Sequence, residues 1–439
     1  MPLKNCSPKL LARMLYAELE RRKSPRPPLE VLTSLFESMY FASMKTEESE
    51  KIAFHIVYMD PENPDPTPPL RVRKDRWSCV RLSDQIPVTV SSLVKLGKAS
   101  DPRSSSFAVY HKKNGLFVWG LIDQGNRYHE FINYDSESGP ERPGLFQASI
   151  TGIGRVAAYI GYEKIGELKI NTLLPKPVDV LRGGPIRGAL QPGISSYLEN
   201  VQGVLLDKRY KTSLPWDEIQ TSRWVSTVCR LLLRVQNLRH GGAVLITPDT
   251  SFKGLNVKYT LLYSRLRSAL ERQGILSMQS RWARERINYD YLAKSAAQIP
   301  VELYLEDSVL EDELADIANE LDGVIWFIAL LTRVDGLVLM TPSLDVQAFG
   351  VEITSFEEPS SVLVAGDYRA TKSLLRNVDY KHYGTRHRSM MRYCLGVPGS
   401  VGFVISQDGD VRAMTQVHRQ VVIWDDIRLQ LDDFQNRRT

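Results

Sequence analysis

Two short polar strings near the C-terminal end contain the residue types that bind phosphate and metal ions. The first is Gly384-Thr385-Arg386-His387-Arg388-Ser389, and the second, upstream of it, is Asp335-Gly336-Leu337. Arginine offers forked donors that match phosphate oxygens, and glycine allows the backbone to approach a ligand closely. The upstream string puts one carboxylate on a turn just before an apolar run. A carboxylate beside a phosphate cradle suits a divalent cation, so the two strings together predict a site for a polyphosphate and a metal ion.

Each of these residues also has a plain structural explanation. An Asp-Gly pair such as Asp335-Gly336 is a common turn between a helix and a strand. Arg386 and Arg388 could start a solvated helix, because apolar residues follow them at helical spacing. That explanation is compatible with phosphate binding, since a helix N-terminus favours an anion. Ser406 follows an apolar run and could simply end a strand.

The composition is that of an ordinary globular protein with room for two or three domains. The chain has 439 residues, of which 43% are hydrophobic and 24% charged, and its formal charge is +5. No dense Lys/Arg block accompanies that charge, so nucleic-acid binding is not indicated. The four cysteines lack metal-ligand spacing, and neither a targeting segment nor a membrane-spanning run is visible. We therefore expect a cytoplasmic protein with reduced cysteines and no membrane partner.

Hydrophobic periodicity predicts a mixed α/β chain. Helices are expected at residues 7–22, 29–44, 216–238 and 311–333, and strands at 52–59, 337–340, 350–354, 400–406, 411–417 and 421–424. Hairpins at 107–119 and 155–168 define a β-rich stretch that ends near residue 174. The glycine- and proline-rich residues 175–192 are expected to form a connector. An extra helical or loop element is expected at 367–383.

One pattern occurs twice in the second half of the chain. The helix at 216–238 is followed by Gly241-Gly242 and two strands, and the helix at 311–333 by Asp335-Gly336 and two strands. This fits a degenerate internal α/β repeat, and it also fits two independent uses of a common α/β unit. If it is a repeat, the first copy is a non-catalytic partner or sensor, because Gly241 stands where the second copy has Asp335.

These patterns divide the chain into five segments. They are a helical and mixed segment at 1–100, a β-rich module at 101–200, an α/β segment with the candidate degenerate repeat at 201–304, a domain that carries both polar strings at 305–427 and a polar tail at 428–439. The expected fold class is α/β (α+β). The C-terminal domain should have a mixed central sheet flanked by helices.

The C-terminal strings resemble the signature motifs of the bacterial diadenylate cyclase (DAC) domain. That family has a DGA motif, a GTRHR motif downstream, and a buried strand that ends in a serine. Here Asp335-Gly336-Leu337, Gly384 to Arg388 and Val404-Ile405-Ser406 match these motifs, within about residues 305–425. The preceding three-quarters of the chain is similar to the DACNV-type sensor region that precedes such domains. The resemblance implies a nucleotidyltransferase that condenses two ATP into cyclic di-AMP and releases two pyrophosphates.

The resemblance also implies a role for each motif residue. Asp335 would bind Mg²⁺ or Mn²⁺ and help to deprotonate the ribose 3′-hydroxyl, with Gly336 close to the nucleotide and His387 beside the metal or the phosphates. The ATP contacts would come from Leu337, Gly384, Thr385, Arg386, Arg388 and Ser406. Because two ATP molecules react across a shared site, the implied partner is a second copy of the chain, face to face. The sensor region would regulate that pairing in response to an unidentified ligand.

Three departures from the family pattern bear on activity. Leu337 replaces the usual alanine, and Gln407 stands where the family often has an acid, so Asp408 would have to serve as the further metal ligand. The segment between the two motifs is also longer than expected. Leu337 and Gln407 keep open an alternative, a nucleotide-binding sensor with the cyclase fold and little turnover.

Overall fold

The computed structural model of the chain divides into two compact units, residues 1–177 and 178–439. It describes residues 3–62, 77–101, 104–113, 115–124, 143–161, 163–175, 177–207, 215–292, 299–354, 356–407 and 409–429. Each unit is built on a nine-stranded sheet. The predicted mixed α/β class is confirmed.

The first unit places helices on one face of a mainly antiparallel sheet. Its helices are α1 (Pro8–Arg21), α2 (Leu29–Ser43) and α3 (Val90–Gly97). Its strands are β1 (Leu3–Lys4), β2 (Thr46–Glu47), β3 (Glu50–Lys51), β4 (Phe54–Tyr58), β5 (Ser78–Pro87), β6 (Ser105–Lys112), β7 (Gly115–Asp123), β8 (Phe146–Gly152), β9 (Arg155–Ile160), β10 (Glu163–Lys169) and β11 (Thr172–Pro175). The sheet order is β1-β11-β10-β9-β8-β4-β6-β7-β5, and β4 and β6 form its one parallel pair within the described residues.

Alternation along the strands explains the two sides of this sheet. Phe54 and Phe107 point into a core that they share with the three helices, which includes Phe36 of α2. The intervening positions face a smaller cluster that contains Trp77 and Trp119. Both predicted hairpins are confirmed as β6–β7 and β9–β10. Strands before and after residue 100, the predicted boundary between the first two segments, therefore belong to one sheet.

The second unit has a mixed sheet between helical layers. Its helices are α4 (Gly184–Asp207), α5 (Trp216–Asn237), α6 (Arg265–Arg286), α7 (Val301–Leu331) and α8 (Thr385–Gly396), and a π-helical turn, Ile287–Leu292, follows α6. Its strands are β12 (Gly242–Ile246), β13 (Leu255–Tyr263), β14 (Leu337–Met340), β15 (Val346–Ile353), β16 (Val362–Ala365), β17 (Leu375–Val378), β18 (Val401–Ile405), β19 (Val411–Val417) and β20 (Gln420–Trp424). The sheet order is β13-β15-β14-β12-β18-β19-β20-β16-β17.

Strand pairing in this sheet differs from the division made on the sequence. Strands β12 and β13, from the segment 201–304, lie in the same sheet as β14 to β20, and α7 crosses residue 305. The two candidate repeats also pair differently. β14 is bonded to its successor β15, whereas β12 lies between β14 and β18, and β13 pairs with β15.

The connector expected at 175–192 is wrong beyond residue 183, because α4 begins at Gly184 and contains Pro192. Ile186, Leu190 and Ile194 are fully buried at helical spacing, so burial of an apolar face outweighs the local glycine and proline signals. The element expected at 367–383 is confirmed in part as helical turns at Lys372–Leu374 and Tyr380–His382, but strand β17 lies between them.

Both faces of β12 are covered, and all five of its residues are buried. Ala243 and Leu245 share a core with α8, while Val244 faces the side covered by α5, next to Leu232. A continuous apolar run buried on both faces is typical of a central strand in a sheet with a parallel pair. This strand fixes the edge at which the candidate site lies.

Candidate functional site

The strand ends that carry the predicted motifs meet at one edge of the second sheet. Gly242 at the start of β12 pairs with Ile405 at the end of β18, and Val244 pairs in parallel with Val338 of β14. Continuing that register places Gly336 beside Gly242. Neighbouring strands lie about 4.8 Å apart, so the Asp-Gly turn is roughly 10 Å from the end of β18. The fold thus brings together motifs about seventy residues apart in the chain.

Gly336 is required by the backbone itself. Its φ is +119°, and a Cβ at this position would lie 2.6–2.8 Å from backbone atoms of Gly350 and Val351. Both a left-handed conformation and a close backbone approach therefore demand glycine. The adjacent Leu337 is 5% exposed and belongs to the core beneath α8. The glycine of this motif consequently fixes where the exposed Asp335 stands.

Arg386 reaches across the edge to the turn before β12. A Cβ added to Gly241 would lie 3.2 Å from Nη1 of Arg386 and 3.4 Å from the backbone nitrogen of Gln407. Gly241 has a φ of +76°, so the turn is both left-handed and tightly enclosed. Gly241, which occupies the position that Asp335 has in the second copy of the repeated pattern, thus leaves room for the guanidinium group of Arg386. No ion pair to a carboxylate is formed by Arg386 within the described residues.

The first turn of α8 is open in the way an anion site requires. Gly384 is its N-cap with no capping side chain, and a Cβ there would meet no atom within 4 Å. Its φ of −63° is allowed for any residue, so neither the backbone conformation nor the packing requires glycine here. Nε of Arg388 is buried without a hydrogen-bond partner among the described residues. An unsatisfied buried donor is costly, and an anion at this helix start would satisfy it.

His387 points toward the far end of the same edge. Its Nε2 accepts a hydrogen bond from Nη1 of Arg412 at 3.1 Å, and Arg412 donates to Asp425 at 2.6 Å. The Tyr383 ring lies 5.9 Å from the imidazole. Burial, and next the positive charge of Arg412, lower the pKa of His387 to about 4. The imidazole is therefore neutral at pH 7 and serves as an acceptor that holds Arg412.

Ser406 takes part in the turn that joins β18 to β19. Its hydroxyl accepts a hydrogen bond from the backbone N–H of Asp410 at 3.0 Å, and its own N–H donates to the carbonyl of Asp410 at 2.9 Å. Gln407 is exposed beside Arg386. The predicted ligand Asp408 lies outside the described residues. These contacts are explained by the position of Ser406 at the end of a strand.

Asp335 is the carboxylate that the sequence analysis assigned to a metal ion, whereas Asp425 at the far end of the edge is paired with Arg412. The described residues contain no group of three His, Cys, Asp or Glu side chains that could hold a metal ion. Mg²⁺ commonly binds one or two carboxylates and takes its other ligands from substrate phosphates and water. A single carboxylate beside a phosphate site therefore fits such an ion only together with its substrate. Lys258 lies within electrostatic range of Asp335 and is paired with Glu352 at 2.7 Å.

Several residues of this edge were missed by the sequence analysis. Arg412 and Asp425 are held beside His387 by strand pairing, and Gly241 is placed beside Arg386. The sequence marks them only by their places beside or within apolar strands: Gly241 directly precedes β12, Arg412 is the second residue of β19, and Asp425 directly follows β20. Thr385 is exposed at the start of α8, where its carbonyl accepts a hydrogen bond from the Ser389 hydroxyl.

Comparisons with known proteins concern the first unit. The model of a family described as "Probable sensor domain DACNV" matches residues 21–123, from the last residue of α1 to the end of β7. This supports a sensor role for the N-terminal region. No curated protein and no solved structure matches the chain. In the described part of the chain, no helix has the length and apolar character needed to cross a membrane.

Proposed function

We propose that the second unit is a metal-dependent diadenylate cyclase and that the DACNV-like region regulates it. The observation that carries this proposal is the meeting of the Asp335-Gly336 turn, the Gly241 turn and Arg386 at one edge of the sheet. Such an edge can hold phosphates against a carboxylate. The motif residues resemble those of the cyclase family, and the DACNV-like match is to a sensor domain.

Phosphate binding is assigned to the start of α8 and the arginines around it. Arg386 and Arg388 have no carboxylate partners within the described residues, and Gly384 leaves space for a ligand oxygen to approach the backbone. Uncapped N–H groups, a helix dipole and two guanidinium groups together favour a polyphosphate over a single anion. Ser406 and Gln407 would border the phosphates without carrying charge.

Asp335 is assigned the metal. Together with ATP phosphates it would hold Mg²⁺ or Mn²⁺, which supplies charge stabilisation at the phosphate under attack. Arg386 would orient the nucleotide by holding its phosphates, and Asp335 would help to accept the proton of the 3′-hydroxyl. Each new bond joins a 3′-oxygen to an α-phosphorus, and each α–β bridge breaks to release pyrophosphate.

The reaction needs two such sites. A single edge presents one ATP, and the 3′-hydroxyl that attacks it must come from ATP on a second copy, held in line. The proposed active form is therefore a homo-oligomer with its edges face to face. The sensor region would act by changing how often two edges meet. Because two copies must meet for the reaction, we expect a specific activity that rises with protein concentration.

The experiment that tests the proposal is incubation of the purified full chain with ATP and Mn²⁺, with the nucleotides resolved by mass spectrometry. We expect cyclic di-AMP from the wild type and about 100-fold less from Asp335→Asn, because the variant loses a charged ligand at the reacting centre. Asp312→Asn is the matched control, since Asp312 is an exposed acid on α7. Equal product from wild type and Asp335→Asn would refute the metal role.

A nucleotide-binding sensor with little turnover is the second candidate. It is favoured by the exposed Gln407 at the position where the family often has an acid. ATP binding that depends on Arg386, with no product under Mg²⁺, Mn²⁺ or Co²⁺, would support this candidate. Gln407→Glu would then be expected to raise turnover if the missing acid is the cause.

A further inference from the structure

A cleft of about 930 Å³ opens between α5, α6 and α7, among helices rather than at the strand ends that form the proposed active site. It is lined by Ile219, Arg223, Ser226, Thr227, Arg230, Gln273, Ser277, Met278, Ser280, Arg281, Arg284, Glu285, Asn288, Glu311, Leu314, Leu321 and Ile325. This volume is within the range of small-molecule sites. Four arginines and two glutamates among these residues give the cleft an excess of positive charge.

The arginines stand in two facing rows. Arg223 and Arg230 are seven residues apart on α5 and so share one face of that helix. Arg281 and Arg284 lie on α6, and Ser277 precedes Arg281 by one helical turn. Guanidinium groups alternating with hydroxyls form a lining that can donate many hydrogen bonds to one small anion.

Acidic side chains form ion pairs with at least two of the four arginines. Arg284 pairs with Asp307 at 3.1 Å and also with Glu311, and Arg230 lies 3.6 Å from Asp322. Arg223 differs, because no carboxylate pairs with it within the described residues.

The polar contacts of Arg223 are neutral. Its Nη1 donates to the carbonyl of Gln273 at 2.7 Å and to the hydroxyl of Ser277 at 2.6 Å. Burial lowers the pKa of the Arg223 guanidinium. Tyr197 raises this pKa, and the positive charges of Arg281 and Arg230 lower it. A half-buried guanidinium beside two other cations is unfavourable unless an anion joins it.

A buried network holds this arrangement in place. Gln220, one turn before Arg223, accepts a hydrogen bond from Tyr197 at 2.6 Å and donates to the carbonyl of Gly274 at 3.3 Å. A Cβ on Gly274 would lie 2.5 Å from the Tyr197 hydroxyl, so α4, α5 and α6 cross closely here. The cleft wall is therefore built on a tightly packed junction, as a pre-organised site requires.

We propose that this cleft binds a small organic phosphate. The arginine rows and serine hydroxyls would hold its phosphate, and the apolar lining of Leu314, Leu321 and Ile325 would contact its carbon-containing part. The proposal is independent of the cyclase assignment, because the lining residues belong to the helical layer and none is a motif residue.

The test separates the cleft from the edge by using Arg386→Ala as the background. Calorimetric titration of this full-length variant with AMP should give one binding site. Adding Arg223→Gln should weaken AMP binding by about tenfold or more, because the variant loses the uncompensated guanidinium. Arg419→Gln, an exposed arginine at the β19–β20 turn, is the control for loss of one charge and should leave the affinity unchanged.

A second variant and a second ligand keep the test decisive. If Arg223→Gln does not fold, Arg281→Gln in the same background replaces it, with the same expected loss. Inorganic phosphate should bind more weakly than AMP because it lacks the part that contacts the apolar lining. No AMP binding in the Arg386→Ala background, or unchanged affinity in the cleft variant, would overturn the proposal, and equal binding of AMP and phosphate would overturn its organic part.

Discussion

A buried carboxylate of the first unit and two arginines of the second differ in whether a side chain of the opposite charge pairs with them. In the first unit Glu167 is 4% exposed, yet it is paired with Arg155 at 2.7 Å and Lys164 at 3.1 Å. Burial alone would raise the pKa of Glu167, but the charges of Lys164 and Arg155 and their hydrogen bonds lower it. In the second unit Arg223 and Arg386 have no carboxylate partner among the described residues. Glu167 is thus compensated within its own unit, as Arg412 is by Asp425 in the second unit, whereas Arg223 and Arg386 are the cations to which we assign an external anion.

Removing the compensated charge should have the largest effect on stability. Glu167→Gln leaves Arg155 and Lys164 without their shared carboxylate, so the free energy of unfolding of the first unit should fall by about 3 kcal/mol. Denaturant unfolding followed in the wild type and the variant measures this loss. Glu37→Gln, at an exposed position of α2, is the control and should change it little. A similar loss in both variants would mean that Glu167 has no special structural role.

Acid should destabilise the second unit through His387. Its pKa is lowered to about 4 by burial and by Arg412, so the unfolded chain takes up a proton before the folded one does as the pH falls. This contribution to stability is present above the unfolded pKa and is lost as the pH falls from about 6.5 to 4; about 2 kcal/mol of it is lost by pH 4.5.

The measurement for His387 is denaturant unfolding at pH 7 and pH 4.5 in the wild type and in His387→Gln, which keeps an acceptor for Arg412 but does not titrate. The pH-dependent fall should be about 2 kcal/mol smaller in the variant. An identical fall in both proteins would show that the imidazole is not buried as a neutral group.

Changing the shape of an uncompensated cation should affect function and leave the fold intact. Arg386→Lys keeps the positive charge but loses the forked donors, so ATP turnover should fall by about tenfold, with little change in unfolding free energy. If ATP binds without turnover, its dissociation constant is measured instead. Arg419→Lys, at the opposite end of the sheet, is the control. A loss of stability without a loss of nucleotide binding would make Arg386 a structural residue.

The smallest effect on stability is expected at Gly384. Alanine fits sterically, because its Cβ would meet no atom within 4 Å, so the unfolding free energy should change by less than about 1 kcal/mol. ATP binding should nevertheless weaken if the glycine leaves room for phosphate. Gly188→Ala on α4 is equally free of contacts and serves as the control. Unchanged ATP affinity in Gly384→Ala would remove the argument that this glycine serves a ligand.

Local patterns predicted elements better than they predicted neighbours. The strands that became β14 and β18 were predictable because each is a short apolar run between turn residues, and α1 because its apolar face recurs at helical spacing. The insertion of β12 between them depends on pairing between residues more than 150 positions apart, which no local pattern reports. The start of α7 at Val301, ten residues before the predicted start, was likewise missed. Val301, Tyr304, Leu305 and Val309 recur there at helical spacing, but these side chains are exposed and the sequence analysis did not use them.

The same limit applied to the candidate site. The Gly384–Ser389 string and the Asp-Gly turn were visible because each is contiguous in the chain. Arg412 and Asp425 were not, since neither stands in a recognisable motif and they meet His387 only through the pairing of β18, β19 and β20. The cleft between α5 and α6 was also missed, because its arginines are spaced along two helices whose contact the sequence does not reveal.

The central position of β12 determines which pieces of this chain can be produced alone. A fragment that starts near residue 305 would retain the cyclase-like motifs but lose β12 and β13. The facing edges of β14 and β18 would then expose unpaired backbone groups flanked by apolar side chains, a combination that promotes aggregation. Even in the whole chain these pairings join residues that are far apart in the sequence, so the sheet should fold slowly. Truncation studies should therefore begin at the boundary near residue 178.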